Sequence, residues 1–329
     1  MTMISRNFPK LKTEVSEIGL GCWQLGGDFG AVDARTAEGI LEHAVEKGIT
    51  FFDTADVYGA GRSEKLVGKV LNRIGRERFT IASKVGRTGD LFPDKYDRAT
   101  VKARVEDSLQ RLGIDCLDLV QLHCIPPSVM KEGEIYGWLR ELVAEGKIRA
   151  FGASVETVDE GLLAMEQPDL ASLQVIFNVF RQKPREQLFS RARDRNVAII
   201  VRLPLCSGLL AGKMSRETKF EEQDHRNYNR DGAAFSVGET FGGIPYETGL
   251  DLVEELRKFC PEGYTMAEMA QRFILDFPCV TTVITGASNP AQVDMNARVS
   301  ELKPLPGEVQ DSLRDLYYTR VQPYIRGAQ

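Results

Sequence analysis

Four side chains of different chemistry stand at the downstream ends of successive apolar runs. Asp53 lies at the end of ITFFDTA (49–55), and Tyr58 follows it five residues later. Lys84 sits near the end of FTIASKV (79–85), and His123 ends LDLVQLH (117–123). The four are a carboxylate, a phenol, an amine and an imidazole. A free phenol has a pKa of about 10 and gives up its proton sluggishly at neutral pH; a neighbouring ammonium stabilises the phenolate and lowers that value. A carboxylate keeps such an ammonium charged and oriented. An imidazole can donate to an oxygen on which charge develops. Each residue alone has a plainer reading. Asp53 in D-T-A can cap a turn, and Tyr58 can be a packed loop aromatic. Lys84 can be a structural ion-pair partner of Asp53, and His123, one of three histidines, a satisfied interior ring. Lys84 also suits a different chemistry, a Schiff base with a carbonyl substrate. Only shared placement lifts the set above its members, and placement depends on the elements that carry it.

Eight strand-like runs recur along the chain: 17–23, 49–55, 79–85, 117–123, 148–154, 172–178, 197–203 and 280–286. The first seven begin about 25–40 residues apart, the spacing of a strand plus a returning helix. Amphipathic stretches fill the gaps at 34–48, 63–75, 97–113, 135–146, 184–196, 248–259 and 265–277. Gly48, Gly75, Gly113 and Gly146 close the first four, as helix C-caps do, and Pro184 suits a first turn. Strands with apolar interiors, each followed by helix, predict a parallel (β/α)8 TIM barrel forming one domain over 1–329. The competing arrangement is a doubly wound open sheet. The even count and the lack of a G-x-G-x-x-G after any strand favour the barrel. In a barrel the C-terminal strand ends share one rim, which places Asp53, Tyr58, Lys84 and His123 together. Residues 206–246, after the seventh run, show no strong periodicity and read as a long loop over that rim. Residues 303–329 read either as a packed terminal helix or as a free tail.

Composition narrows the function classes. The chain has 329 residues, 43% hydrophobic and 27% charged, with 42 Lys+Arg against 47 Asp+Glu and a net charge of −5. This is ordinary globular composition, long enough to bury a large core. A mildly acidic balance argues against a nucleic-acid partner. No apolar window approaches the length of a membrane span, and the N-terminus has no signal-like apolar core. Cys22, Cys116, Cys124, Cys206, Cys260 and Cys279 include no C-x-x-C pair and no metal-ligand spacing. Reduced thiols, no metal site and a cytoplasmic location are the expectations.

The motifs F-D-T-A-D-V-Y-G (52–59), A-S-K-V-G (82–86), L-D-L-V-Q-L-H (117–123), E-G-K-I-R-A-F-G-A-S (145–154) and P-L-C-S-G-L-L-A-G-K (204–213) resemble those of the aldo-keto reductases. The resemblance runs from about residue 13 to 300 and is nearest to the bacterial general-stress and sugar-aldehyde branches. It implies reduction of an aldehyde or ketone, sugar-like or small and polar, by hydride from NADP(H) and a proton from Tyr58. Lys84 would lower the phenol's pKa, Asp53 would hold Lys84, and His123 would orient the carbonyl. The resemblance places Ser154 and Gln174 on the nicotinamide carboxamide, with Val155 where an Asn is usual. Arg202 stands where a stacking aromatic is usual, and a planar guanidinium can stack too. Ser207, Gly208, Leu209 and Lys213 match the segment around the pyrophosphate. Gly286, Ser288, Gln292 and Asn296 fall at the adenosine end. No Lys or Arg stands at Gly286, Ser288, Asn289 or Gln292, which leaves NAD(H) open beside NADP(H). Trp23, Tyr58, His123 and the loops 88–96, 125–130 and 225–246 would line the substrate pocket. Trp23 reads equally as a core aromatic, and the charges at Asp224, His225, Arg226 and Arg230 as a solvated lid face. Asn178 matches a polar position many members share, and Cys22 and Cys124 fall near the rim. A second function class is a cofactor-binding auxiliary subunit like channel-associated relatives; a third is the Schiff-base enzyme using Lys84.

Overall fold

The structure is a computed structural model and describes residues 3–27 and 32–329. Two short strands, β1 (Ser5–Phe8) and β2 (Thr13–Ser16), pair as an antiparallel hairpin. Eight parallel strands then close a barrel: β3 (Ile18–Gly21), β4 (Phe51–Asp53), β5 (Thr80–Val85), β6 (Leu117–His123), β7 (Ile148–Ser154), β8 (Ser172–Ile176), β9 (Ala198–Arg202) and β10 (Val280–Gly286), with β10 pairing back onto β3. All eight expected runs are strands, and the doubly wound alternative is excluded by closure. The hairpin was not foreseen. Its Phe8, Leu11 and Val15 pack with Phe51, Ala82, Leu119, Ala150 and Ile200 as a separate core that plugs the barrel's N-terminal end.

Alternation along the strands decides which side chains reach the C-terminal mouth. Ala82 faces that interior core, so Lys84, two residues on, faces the same way and higher. The register sets Asp53 beside Ala82 and Lys84 beside Gln121, and pairs His123 with Ser154 and Ser154 with Gln174. The upper interior is therefore polar, and the lower interior apolar.

The outer ring comprises α1 (Ala34–Glu46), α2 (Arg62–Ile74), α3 (Arg98–Leu112), α4 (Pro127–Glu132), α5 (Glu134–Ala144), α6 (Val158–Ala164) and α7 (Leu188–Asp194). After β9 come α8 (His225–Tyr228), α9 (Tyr246–Arg257) and α10 (Met266–Leu275); α11 (Pro290–Arg298) and α12 (Gly307–Leu316) follow β10. Asp97 caps α3 by accepting from Ala99 and Thr100, and Gly113 ends it in a left-handed turn. Pro184 lies in a short 3-10 turn ahead of α7 rather than in its first turn. Helix α6 is seven residues long, too short to show a period, and a capping box between Thr157 and Glu160 starts it. The 303–329 stretch is packed, not free: Leu313, Leu316, Tyr317 and Val321 are buried, and Gln182 Nε2 donates to the Leu313 carbonyl at 2.9 Å. Among the described residues no helix is long and apolar enough to cross a membrane.

Candidate active site

The ends of β4, β5 and β6 and the loop after β4 bring the four chemical residues together. Lys84 Nζ donates to Asp53 Oδ1 at 2.5 Å, to the Thr54 carbonyl at 2.8 Å and to Tyr58 Oη at 3.0 Å. Those three bonds use every hydrogen of an ammonium. Lys84 is 2% exposed and sits behind Tyr58, so no free amine faces the cavity. That geometry argues against a Schiff base. Asp53 Oδ2 accepts from Gln174 Nε2 at 2.7 Å and from Gln121 Nε2 at 3.1 Å. Gln121, which the sequence did not single out, thus helps hold the carboxylate. The His123 ring stands edge-on to Tyr58, centroids 5.9 Å apart.

Burial governs the proton affinities here. Burial alone would pull the Lys84 ammonium down, but Asp53 and Tyr58 hold it above the ordinary lysine value. The Tyr58 phenol departs from expectation. Lys84 does draw it down, but burial is the larger effect, and the phenol is pushed up to about 12. Burial, Lys84, Arg87 and Arg202 hold His123 well below the usual imidazole value, so its ring is neutral at pH 7. Its Nδ1 is buried with no partner among the described residues.

A cavity of about 580 Å³ opens from this cluster toward the N-terminus of α11. Its wall includes Asp53, Tyr58, His123 and Trp23, Ser154, Gln174 and Arg202, Ser207, Gly208 and Lys213 after β9, and Gly286, Ser288, Gln292 and Asn296 at the end of β10 and the start of α11. Leu209 does not join them: its side chain is fully buried in the core, against Gly249 of α9. Ser154 Oγ lies 3.4 Å from Gln174 Oε1, so one hydroxyl and one amide are linked at the wall. Asn296 is braced by Gln271, and Gln292 Oε1 accepts from the Ser288 amide at 2.7 Å. Gly286 lies under the Gln24 side chain, and a Cβ there would meet Gln24 Nε2 at 1.8 Å.

Arg202 is not free to move as a stacking plate. Its Nη1 is ion-paired with Glu239, and its Nη2 donates to the Val155 carbonyl at 3.0 Å. Val155, where an Asn is usual, supplies a backbone acceptor to Arg202 instead. Glu239 went unnoticed because it lies in the aperiodic 206–246 stretch, as do Tyr228 and Phe235, which also line the cavity. That stretch folds over the rim in short turns. His225 is fully buried, 4.9 Å from the Trp23 ring, and Phe235 lies 6.1 Å from Trp23. Trp23 stacks on Tyr58 at 5.9 Å, so it is a wall of the site rather than a core residue. The solvated-face reading of the lid charges does not hold for His225, nor for Asp224, which is buried and binds Arg226. Arg230 lies over the rings of Phe220 and Tyr246.

Three other expectations are corrected. The loops 88–96 and 125–130 contribute no residue to the cavity wall among the described residues. Asn178 is structural: its amide donates to the Leu203 carbonyl and its oxygen accepts from the Phe180 amide. Cys22 is fully buried away from the cavity, while Cys124 lines it. Burial pushes the Cys124 thiol up to about 11, so it stays protonated at neutral pH. Cys124, Glu156 and Glu239 bring one sulfur and two carboxylates within 4.8 Å of one another. The guanidinium groups of Arg202 and Arg87 already face those acids.

A closed parallel barrel with a Lys–Asp–Tyr cluster at its C-terminal mouth defines a known class of oxidoreductase. The Aldo/keto reductase family pattern matches residues 17–317, and the chain belongs to that family, whose members are oxidoreductases acting on carbonyl groups. It is similar to Aldo-keto reductase YhdN of Bacillus subtilis (strain 168), 33% identical over 294 residues covering 87% of this chain and 86% of that protein. It is similar also to the NADH-specific methylglyoxal reductase of Escherichia coli (strain K12), 29% identical over 86% of this chain and 89% of that protein. Among solved structures, the glycerol dehydrogenase AKR11B4 from Gluconobacter oxydans superposes with a TM-score of 0.80 at 28% identity, over 100% of this chain and 99% of that one.

Proposed function

We propose that the protein is a nicotinamide-dependent reductase of a small polar or sugar-like aldehyde or ketone, with Tyr58 as the proton donor. The observation that carries this reading is the 3.0 Å bond from Lys84 to Tyr58 Oη, with Asp53 holding the other side of the ammonium. The donor set along the cavity fits a dinucleotide. Of the residues lining it, Ser154 and Gln174, beside Asp53, would take a carboxamide, Ser207, Gly208 and Lys213 a pyrophosphate, and Ser288, Gln292 and Asn296 the adenosine. A reduced nicotinamide bound there would supply the hydride. Tyr58 then gives its hydrogen to the oxygen on which negative charge develops, and the adjacent ammonium steadies the phenolate left behind. His123, neutral and with Nδ1 enclosed, donates from Nε2 to the same oxygen and orients the carbonyl. Trp23, stacked on Tyr58, and Phe235 against it form an aromatic wall beside the phenol.

The expected NADP(H) would meet an adenosine end whose wall carries no Lys or Arg among the described residues and does carry the Glu268 carboxylate, paired with Arg298. Ser288 lines that wall and is neutral, and the Asn289 side chain is used in capping α11. This balance supports NAD(H) as a cofactor beside NADP(H).

Fluorescence titration with NADPH and NADH separately, followed by turnover of methylglyoxal and glyceraldehyde, tests the reading. Binding of at least one cofactor with carbonyl-dependent oxidation of it is the expected result. Tyr58→Phe should keep cofactor affinity and lose about 10²–10⁴-fold in kcat. Binding of neither cofactor would sink the proposal.

A further inference from the structure

Resting on the reductase reading above, we infer that the site selects carbonyl compounds that carry an anionic group, carboxylate or phosphate, and that Arg87 binds that group. Among the described residues four cations line the cavity: Arg87, Arg202, Lys213 and Arg226. Two are held by acids, and the third stands on a different strand's loop. Arg202 is buried, paired with Glu239 and bonded to the Val155 carbonyl. Arg226 binds both oxygens of Asp224, at 2.5 Å through Nη2 and at 2.9 and 3.1 Å through Nε. Lys213 is exposed and lies in the loop after β9, among the residues the reading above assigns to the cofactor.

Arg87 differs from all three. It follows Gly86 immediately past the end of β5, three residues after Lys84, so it stands on the carbonyl side of the cavity. Its guanidinium lies 4.8 Å from the centre of the Phe92 ring, and a guanidinium so placed against an aromatic ring can still offer N–H donors to an anion. Among the described residues its one carboxylate partner is Glu156, at a long 3.5 Å, and its side chain is 21% exposed. Glu156 neutralises it incompletely, because its carboxyl also lies beside Glu239 and Cys124. Burial and the Glu239 charge both push the Glu156 carboxyl above the usual range. A Cβ on Gly86, the residue before Arg87, would lie 3.8 Å from the His123 amide nitrogen, and Arg87 and His123 line the same cavity. A guanidinium edge meets carboxylate and phosphate alike through paired N–H donors.

The test uses the whole enzyme and matched substrates: succinic semialdehyde against butyraldehyde for the carboxylate, and glyceraldehyde 3-phosphate against glyceraldehyde for the phosphate. In the wild type, kcat/KM for at least one anionic member should exceed its neutral partner by about 10–100-fold, the scale of a hydrogen bond to a charged group. The pair that shows the gain identifies the anion. Arg87→Gln should collapse that ratio toward one through KM of the anionic substrate; Arg87→Lys, which keeps the charge without the fork, should retain part of it. Equal kcat/KM within both wild-type pairs would overturn the inference and leave the reductase reading standing. Equal losses on anionic and neutral substrates in Arg87→Gln would show a structural role and overturn it too. Turnover of none of the four aldehydes, with cofactor bound, would overturn both. If Arg87→Gln does not fold, succinate and inorganic phosphate as inhibitors of the wild type against butyraldehyde decide the matter. Competitive inhibition by either supports the site, and none by both rejects it.

Discussion

At the scale of single residues, the site turns on how Tyr58 holds its proton. Carbonyl reduction consumes the phenol form, and burial raises the phenol to about 12 against the pull of Lys84. The phenol is therefore fully protonated through the neutral and mildly alkaline range. Reduction should show a flat kcat from about pH 6 to 9, falling only as the pH approaches the phenol's pKa. Alcohol oxidation needs the phenolate and should rise with pH, about tenfold per unit. A reductive kcat that falls steeply between about pH 7 and 9 would contradict this. Lys84→Met removes the group that lowers the phenol, so the phenol becomes a still weaker acid and reduction slows. The same buried pair matters to stability. Asp53→Ala leaves the Lys84 ammonium buried without its carboxylate, and removing one partner of such a pair costs about 3–5 kcal/mol. Urea denaturation of the variant measures that loss. The tetrad residues were readable because their types recur at strand ends. Arg87, Gln121 and Glu239 were not, because nothing in residue type or spacing says that two distant side chains will share one carboxylate or one cavity wall.

At the scale of elements, the loops after β3 and β4 position the phenol through a glycine contact. Gly59 has φ +57, and a Cβ on it would lie 2.4 Å from the Gly26 carbonyl oxygen. A Cβ on Gly26 would lie 2.8 Å from the Gly59 amide nitrogen. The two backbones touch, and that contact seats Trp23 against Tyr58. Gly59→Ala therefore meets left-handed strain and a backbone clash together, about 1–3 kcal/mol for each. The larger expected effect is on rate: about 10²-fold in kcat from a displacement of the donor by roughly 1 Å. Gly39→Ala, on α1 with open space around it, is the control. It should leave kcat alone and stabilise by about 0.5–1 kcal/mol. Equal behaviour of the two variants in turnover and denaturation would refute the argument. The long helices were legible because burial imposes a period on ten or more residues, and the barrel strands because burial on both faces makes each a short apolar run. The β1–β2 hairpin and α6 were not. The first is too short to alternate visibly, and the second offers seven residues and one capping box.

At the scale of the whole molecule, the chain's last residues fasten the lid over the cavity. Arg326 Nε donates to the Gly243 carbonyl at 2.9 Å, Nη2 to the Arg230 carbonyl at 3.0 Å, and Nη1 pairs with Asp231 at 2.6 Å. The Arg326 amide also donates to the Gly243 carbonyl at 3.1 Å. Arg181, buried below, donates to the Ala328 carbonyl at 2.7 Å. The segment so held carries Phe235 and Glu239 into the cavity wall. Sequence patterning cannot reveal this fastening, since it joins residues 83 to 147 positions apart, mostly through backbone carbonyls that any residue would offer. Arg326→Ala removes three side-chain contacts outside the barrel core. It should cost about 1–3 kcal/mol locally, on the scale of hydrogen bonds to a charged donor, while the barrel melts nearly unchanged. Limited trypsin digestion should then cut faster after Arg226 and Arg230 than in the wild type. KM for the carbonyl should rise several-fold, because the aromatic wall no longer stays seated. If cleavage and KM both match the wild type, the lid is held instead by its own buried polar groups, Asn229 and His225, and the terminal residues play no part in closing the site.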